Sequence, residues 1–360
     1  MNINSIFFSI LSFGAGLTDR IELPAMNRSL WVSVLSMAQK QAVLGIVLDA
    51  VNKLPEGVNR PDRDLLMRLI GFGMEIERKN RMVNKEIMRW KNFFTERGFR
   101  SVLLKGQGVA DFYPNPLHRN PGDIDLWVIG NTKEVRNVVC GELKAEDMTY
   151  HHIGVHEKGN VELEVHTTPS WMYSYPRNKV LQKLFREWSN HCQEISLSDE
   201  GKVSIPSDEM NRVFLLVHMY RHVLSEGIGL RQMMDYALLL KRCCSDAERE
   251  IFCNQVKRLN MYRFTGAVMF VMREVFGLDD DLLLVPADVK RGRKLLDSIM
   301  EGGNFGHYDK SIDKSINSDS AMSFLTRNKR NLKLLMDYPE EVMWGPLFKL
   351  WHYIWRKINN

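Results

Sequence analysis

The chain has 360 residues, 44% of them hydrophobic and 26% charged, with a net charge of +5. That length is long for one core and suits two domains, and the composition excludes a chain that is disordered throughout. The mild positive charge fits phosphate or acidic ligands, while the lack of a strongly basic stripe gives no indication of nucleic acid.

Taken in chain order, MNINSIFFSILSFGAG has an apolar run with no Lys or Arg before it and no clear small-x-small cleavage motif. An uncleaved amphipathic helix is therefore expected rather than an export signal. No segment reaches the ~18 uninterrupted apolar residues of a membrane span. Residues 1–97 read as helical. Segments near 30–53 and 63–97 repeat apolar residues every three or four positions, and Ile76, Val83, Ile87, Trp90 and Phe94 share a face. Gly98 in ERGF is the expected left-handed cap.

RSVLLKG then gives a short buried strand over 100–104, ending at Gly106, and QGVADFYP a short helix stopped by Pro114 and Pro116. NPLHRNPG is a loop. DIDLWVIG is a second strand ending at Gly130, and TKEVRNVVCGEL a helix. MTYHHIGVH (148–156) and VELEVH (161–166) alternate as strands, with EKGN between them as a hairpin turn. Residues 98–170 thus predict a compact α/β unit of about four strands.

From residue 206 the pattern is helical. Ser207 is the expected N-cap, with Met210 or Asn211 where a capping-box glutamate would stand. Further helices fit 230–243, 246–258, 261–275, 286–300, 320–336 and 340–358, with HYDKSIDKSINSDS as a polar surface loop. The expected class is α+β: a small mixed sheet flanked by N-terminal helices and a C-terminal helical domain. The corresponding divisions are 1–97, 98–200 and 201–360. Cys140, Cys192, Cys243, Cys244 and Cys253 form no CxxC pair and no zinc spacing, so a reducing, cytoplasmic setting is expected.

The chemistry concentrates in PGDIDLWV and VELEVH. Alternate side chains of a strand share a face, which puts Asp123, Asp125 and Trp127 together, and Glu162, Glu164 and His166 together. Neighbouring carboxylates repel, and burial raises the cost unless a cation compensates; Mg²⁺ is the natural compensator beside phosphates. An isolated D-x-D is more often a solvated strand edge. Here it follows LLKGQG, a strand ending in glycines and entering a helix, whose backbone N–H groups suit a phosphate. Arg119 precedes it in the loop, and a third strand carboxylate comes after it.

That constellation resembles the nucleotidyltransferase superfamily of DNA polymerase beta. More narrowly, it resembles the family of uncharacterised nucleotidyltransferases, on LLKG (103–106), Tyr113, Arg119, DID (123–125) and EVH (164–166). GLRQMMDYALLL, with Arg231 and Asp235, and EGGNFGHYDK (301–310) are also similar. The similarity runs over roughly residues 30–355, with the specific motifs in 103–166. The resemblance implies a nucleotidyltransferase core that moves a nucleoside monophosphate from an NTP, expected to be ATP, to an acceptor hydroxyl with release of pyrophosphate. The acceptor is left open among small molecule, sugar and protein. It implies that Asp123 and Asp125 bridge two Mg²⁺ ions, with Glu164 as the third carboxylate, a metal ligand or base. It places Gly106, Gln107 and Gly108 against the nucleotide phosphates, while Lys105 either approaches the triphosphate or is simply solvent-exposed, and Arg119 either steadies the metal-site loop or contacts the nucleotide. Position 107 departs from the superfamily, which usually has Gly or Ser there. That departure motivates an alternative, a catalytically degenerate nucleotide-binding or partner-binding scaffold of the same fold.

Several residues carry competing readings. Glu162 shares a face with Glu164 and competes as third carboxylate, while His166 is expected as a hydrogen-bonding support. His218 and His222 stand four apart on a helix, where packing or substrate contact is favoured over zinc. Arg231 and Asp235, also four apart, suggest a helix ion pair. The C-terminal WGPLFKLWHYIWRKI carries an apolar stripe for which packing on the helical domain is expected over peripheral membrane contact. RNKRNLK (327–333) reads as a solvated face.

Overall fold

A computed structural model describes residues 1–57, 59–143, 145–157, 161–197, 200–308 and 332–359. Helix α1 (Ile3–Gly14) is capped by the Asn2 side chain and buries Ile6, Phe7, Ile10 and Leu11. It packs on α3 (Leu44–Lys53) and on α11 (Tyr262–Phe276), so the two ends of the sequence share a core. The segment read as helical over 30–53 is two helices. After α2 (Arg28–Lys40) the chain turns at Ala42, whose φ of +56° breaks the helix before α3. The long α4 (Arg63–Glu96) buries Ile76, Val83, Ile87, Trp90 and Phe94 along the face its spacing predicts. Gly98 follows at φ +78°, as its type suggests.

The sheet has five strands in the order β1-β2-β5-β4-β3. β1 (Arg100–Leu103), followed by the short α5 (Gln107–Ala110), runs antiparallel to β2 (Ile124–Ile129), and β2 runs parallel to β5 (Leu163–His166). β4 (His152–Val155) pairs antiparallel with both β5 and β3 (Ala145–Met148). The stretch MTYHHIGVH, expected as one strand, is therefore divided. Thr149 closes a tight turn by exchanging bonds with His152, its backbone N–H donating to the His152 carbonyl at 2.9 Å. Strict alternation of side chains does not reveal such a turn. β4 and β5 do form the expected hairpin, although residues 158–160 of EKGN lie outside the described residues.

Ile124, Leu126 and Val128 of β2 face α4 and α6 (Thr132–Glu142) in one apolar core with Leu163 and Val165 of β5. The opposite face of β2 carries Asp125 and Trp127 toward the helices that follow. Two elements have no counterpart in the sequence reading. Helix α7 (Tyr175–Trp188) has Ser174 as its cap, and the hairpin of β6 (Cys192–Ser196) and β7 (Lys202–Pro206) lies beside β1. β6 is half exposed along its length and shows no clean in–out pattern, whereas in β7 Val203 and Ile205 are buried and Lys202 and Ser204 face outward.

The C-terminal part is helical as expected: α8 (Asp208–Ser225), α9 (Leu230–Leu240), α10 (Asp246–Arg258), α11, α12 (Val289–Gly302) and α13 (Pro339–Asn359). Ser207 caps α8 through a bond from the Met210 N–H, without a capping box. The expected helix over 320–336, the loop HYDKSIDKSINSDS and the run RNKRNLK fall largely in 309–331, outside the described residues. The stripe of α13 divides between two environments. Phe348 stacks on Trp171 with ring centroids 4.1 Å apart, whereas Leu347, Ile354 and Ile358 stay exposed. Among the described residues no helix is long and apolar enough to cross a membrane.

Candidate active site

The parallel pairing of β2 and β5 sets Asp125 opposite Glu164, and Trp127 opposite His166. With Asp123 at the start of β2, this brings one carboxylate oxygen from each of Asp123, Asp125 and Glu164 within 4.8 Å of one another. Asp125 is 2% exposed, and its Oδ1 receives two contacts of 2.8 Å, from Lys105 Nζ and His166 Nε2. His166 Nε2 also lies 3.3 Å from Glu164, and His152 Nδ1 3.5 Å from the same carboxylate. Glu162 points elsewhere, half exposed and 3.2 Å from His156. Of the two candidates on VELEVH, the structure therefore groups Glu164 with the aspartates.

The electrostatics follow from that crowding. The charge of Asp125, with lost hydration second, pushes the Asp123 carboxyl up to about 6. Burial works against ionisation of Glu164, yet the His166 hydrogen bond and the neighbouring His152, His166 and Lys105 hold it well below the usual carboxylate range. Burial likewise opposes a charge on His166, and its bonds to Asp125 and Glu164 overcome this, raising it to about 9. Three carboxylates held together only with Lys105 and His166 beside them form a hard-oxygen donor set that fits a divalent cation.

The glycine turn sits directly below. Lys105 and Gly106 both have positive φ, +36° and +48°, which folds the chain back under β2; the Leu104 N–H donates to the Asp125 carbonyl at 2.9 Å. Gly106 borders the cleft, where a side chain would be strained. Gly108 serves packing, since a Cβ there would lie 2.8 Å from the Leu103 carbonyl oxygen. Gln107 turns its side chain away from the cleft. Its Nε2 donates to Asn80 Oδ1 on α4 at 2.6 Å, and Asn80 in turn donates to the carbonyls of Leu117 and Arg119. The residue that departs from the superfamily pattern thus braces the loop 115–120 from behind.

A cleft opens between this end of the sheet and helices α8 and α9. Lys105, Gly106, Arg119, Asp123 and Asp125 line one side, and His218, Arg231, Gln232, Asp235 and Phe305 the other. The expected Arg231–Asp235 helix pair does not form. Asp235 instead takes two bonds from Arg119, both 2.8 Å, and one of 2.6 Å from the Tyr113 hydroxyl. Arg119 offers rigid two-point geometry from a neighbouring loop, which outcompetes a flexible contact one turn away. His218 and His222 sit with their Nε2 atoms 3.1 Å apart, and burial holds both rings below their ordinary pKa. His152 and Phe305 were not singled out by sequence. Only their placement in space brings them to the site.

A mixed sheet with Asp-x-Asp at the head of a central strand and a third carboxylate on its parallel neighbour is the arrangement of a nucleotidyltransferase core. The family described as uncharacterised nucleotidyltransferase matches residues 27–277, and the chain belongs to it. Among solved structures, an antigenic nucleotidyltransferase-like protein from Paracoccidioides brasiliensis is similar at 12% identity, covering 50% of this chain and 90% of that one with a TM-score of 0.31. That likeness is too slight to bear on function. No curated protein matches the chain.

Proposed function

We propose that the chain transfers a nucleoside monophosphate from a nucleoside triphosphate, ATP being the donor of first choice, to an acceptor hydroxyl. The observation that carries this reading is the convergence of Asp123, Asp125 and Glu164 within 4.8 Å at the edge of a cleft. Asp123, Asp125 and Glu164 would hold magnesium, two ions by analogy, which when bound neutralises the triphosphate and acidifies the acceptor hydroxyl. Asp125 is fixed for this task by Lys105 and His166. Glu164, kept ionised by His166, would complete the metal-ligand set or take up the hydroxyl proton. The acceptor oxygen bonds to the α-phosphorus, the bond from that phosphorus to the α–β bridging oxygen breaks, and pyrophosphate departs with its electron pair. Gly106 leaves the phosphates room, and Arg119 holds the loop that carries Asp123. The fold does not select among small-molecule, sugar and protein acceptors.

The test uses α-labelled triphosphates with Mg²⁺, following pyrophosphate release and label transfer in wild type, Asp123→Asn and Asp125→Asn. Transfer by wild type that both variants lose is expected. Equal release and transfer in all three would sink the reading. Nucleotide binding with no turnover that depends on Asp125 would leave the scaffold alternative.

A further inference from the structure

We propose that Arg231, on the helical side of the cleft, is the principal partner of the donor's triphosphate; this rests on the nucleotidyl-transfer reading above. The glycine turn cannot supply that partner by its side chains, because Gln107 is bonded to Asn80 and faces away. Among the described residues three cations line the cleft: Lys105, Arg119 and Arg231. Lys105 is committed to Asp125 at 2.8 Å. Arg119 is committed to both oxygens of Asp235.

Arg231 is different. It is 8% exposed, and among the described residues no carboxylate lies within 4.0 Å of it. One terminal nitrogen donates to the carbonyls of Asn120 at 3.2 Å and Pro121 at 3.4 Å, and the buried Nε has no partner. A buried guanidinium without a counter-charge is costly, and an anion that brings one recovers the loss. Burial, with the adjacent Arg119 second, lowers its pKa to about 10, so Arg231 remains a cation at neutral pH. It lines the same cleft as Asp123 and Asp125, so a phosphate chain whose α-phosphate sits at the carboxylates would extend into its reach.

The surroundings hold this side chain in place. The ring of Phe305 lies 5.3 Å from the guanidinium carbon and gives it a flat support. Phe305 gets there through an unusual backbone: φ is +51° at Phe305, +67° at Gly303 and +62° at Gly306. A non-glycine residue held in that region is strained. The loop is also wedged against the start of α9, where a Cβ on Gly229 would come within 2.7 Å of the Asn304 Cα. EGGNFG therefore delivers an aromatic platform to the cleft cation that, among the described residues, has no carboxylate partner.

The experiment titrates the full chain with inorganic tripolyphosphate and Mg²⁺, with Mg-ATP and with adenosine, in wild type, Arg231→Gln and Arg231→Lys. Arg231→Gln is expected to weaken tripolyphosphate and Mg-ATP by about tenfold or more, leaving adenosine unchanged, while Arg231→Lys recovers part of the loss. Because the lost charge had no carboxylate partner, ligand-free Arg231→Gln should melt no lower than wild type. Equal tripolyphosphate affinity in wild type and Arg231→Gln overturns the assignment and leaves nucleotidyl transfer standing. Lower ligand-free melting of both variants marks a structural role and also overturns it. If wild type binds neither tripolyphosphate nor Mg-ATP, both readings fall together.

Discussion

Arg119 and Asp235 meet across the cleft in a two-bond pair, Nε to Oδ1 and Nη2 to Oδ2, each 2.8 Å and each side chain about 6% exposed. The pair joins the loop before the Asp-x-Asp strand to helix α9, and the Tyr113 hydroxyl completes the set. Replacing Arg119 with Gln strands a buried carboxylate, so unfolding stability is expected to fall by about 3–5 kcal/mol. The double variant Arg119→Gln/Asp235→Asn should recover part of that loss, because no unpaired charge remains. Denaturant titrations of the two single variants and the double would show simple additivity if the residues did not act as a pair.

Asp125 and His166 give a second expectation, this time on activity. His166 Nε2 bonds Asp125 at 2.8 Å and lies 3.3 Å from Glu164, so it orients both carboxylates without needing to touch substrate. His166→Ala should slow label transfer by about 10–100-fold, the range for partners that orient metal ligands, and Asp125→Asn by more. Transfer at wild-type rate in His166→Ala would show that the carboxylates hold their places without it.

His118 bears on pH. Its Nδ1 lies 2.6 Å from Asp49 on α3 and its Nε2 2.9 Å from Glu77 on α4, which ties the loop before Arg119 to two helices. Burial opposes the imidazolium, but the bonds and charges of Asp49 and Glu77 prevail, and the pKa stands above its ordinary 6.5. A basic group with a raised folded pKa contributes stability that is complete below the unfolded value and is lost as pH rises through the folded one. The stability gap between wild type and His118→Gln should therefore be widest below pH 6.5 and shrink above it. Urea midpoints over a pH series check this, and a gap that stays constant would contradict it.

What the sequence made legible was local. Asp123, Asp125 and Glu164 could be placed on strand faces because a period of two needs only a few residues, and α4 because its apolar face repeats over 34 residues. What it hid depends on partners far along the chain. The spacing of Arg231 and Asp235 suggests a helix pair, yet Asp235 is claimed by Arg119, 116 positions away. Strand β6 is half exposed, so CQEIS offers no clean alternation to read. Phe305 enters the cleft only because a non-glycine residue adopts positive φ, a conformation that residue type argues against.

Gln107 shows how such a long-range partner changes the meaning of a motif position. By sequence it stands in a phosphate-binding turn and departs from the expected Gly or Ser. In the fold its amide is buried and donates to Asn80 Oδ1 at 2.6 Å, and Asn80 holds the carbonyls of Leu117 and Arg119. Gln107→Ala would leave the Asn80 oxygen without its donor, at a cost of about 1–3 kcal/mol in unfolding stability. Because the lost group lies behind the turn, Mg-ATP affinity should change far less than in Arg231→Gln. Parallel measurements of denaturant midpoint and Mg-ATP binding decide the matter. A Gln107→Ala variant that folds as stably as wild type but binds Mg-ATP poorly would return the side chain to the phosphates.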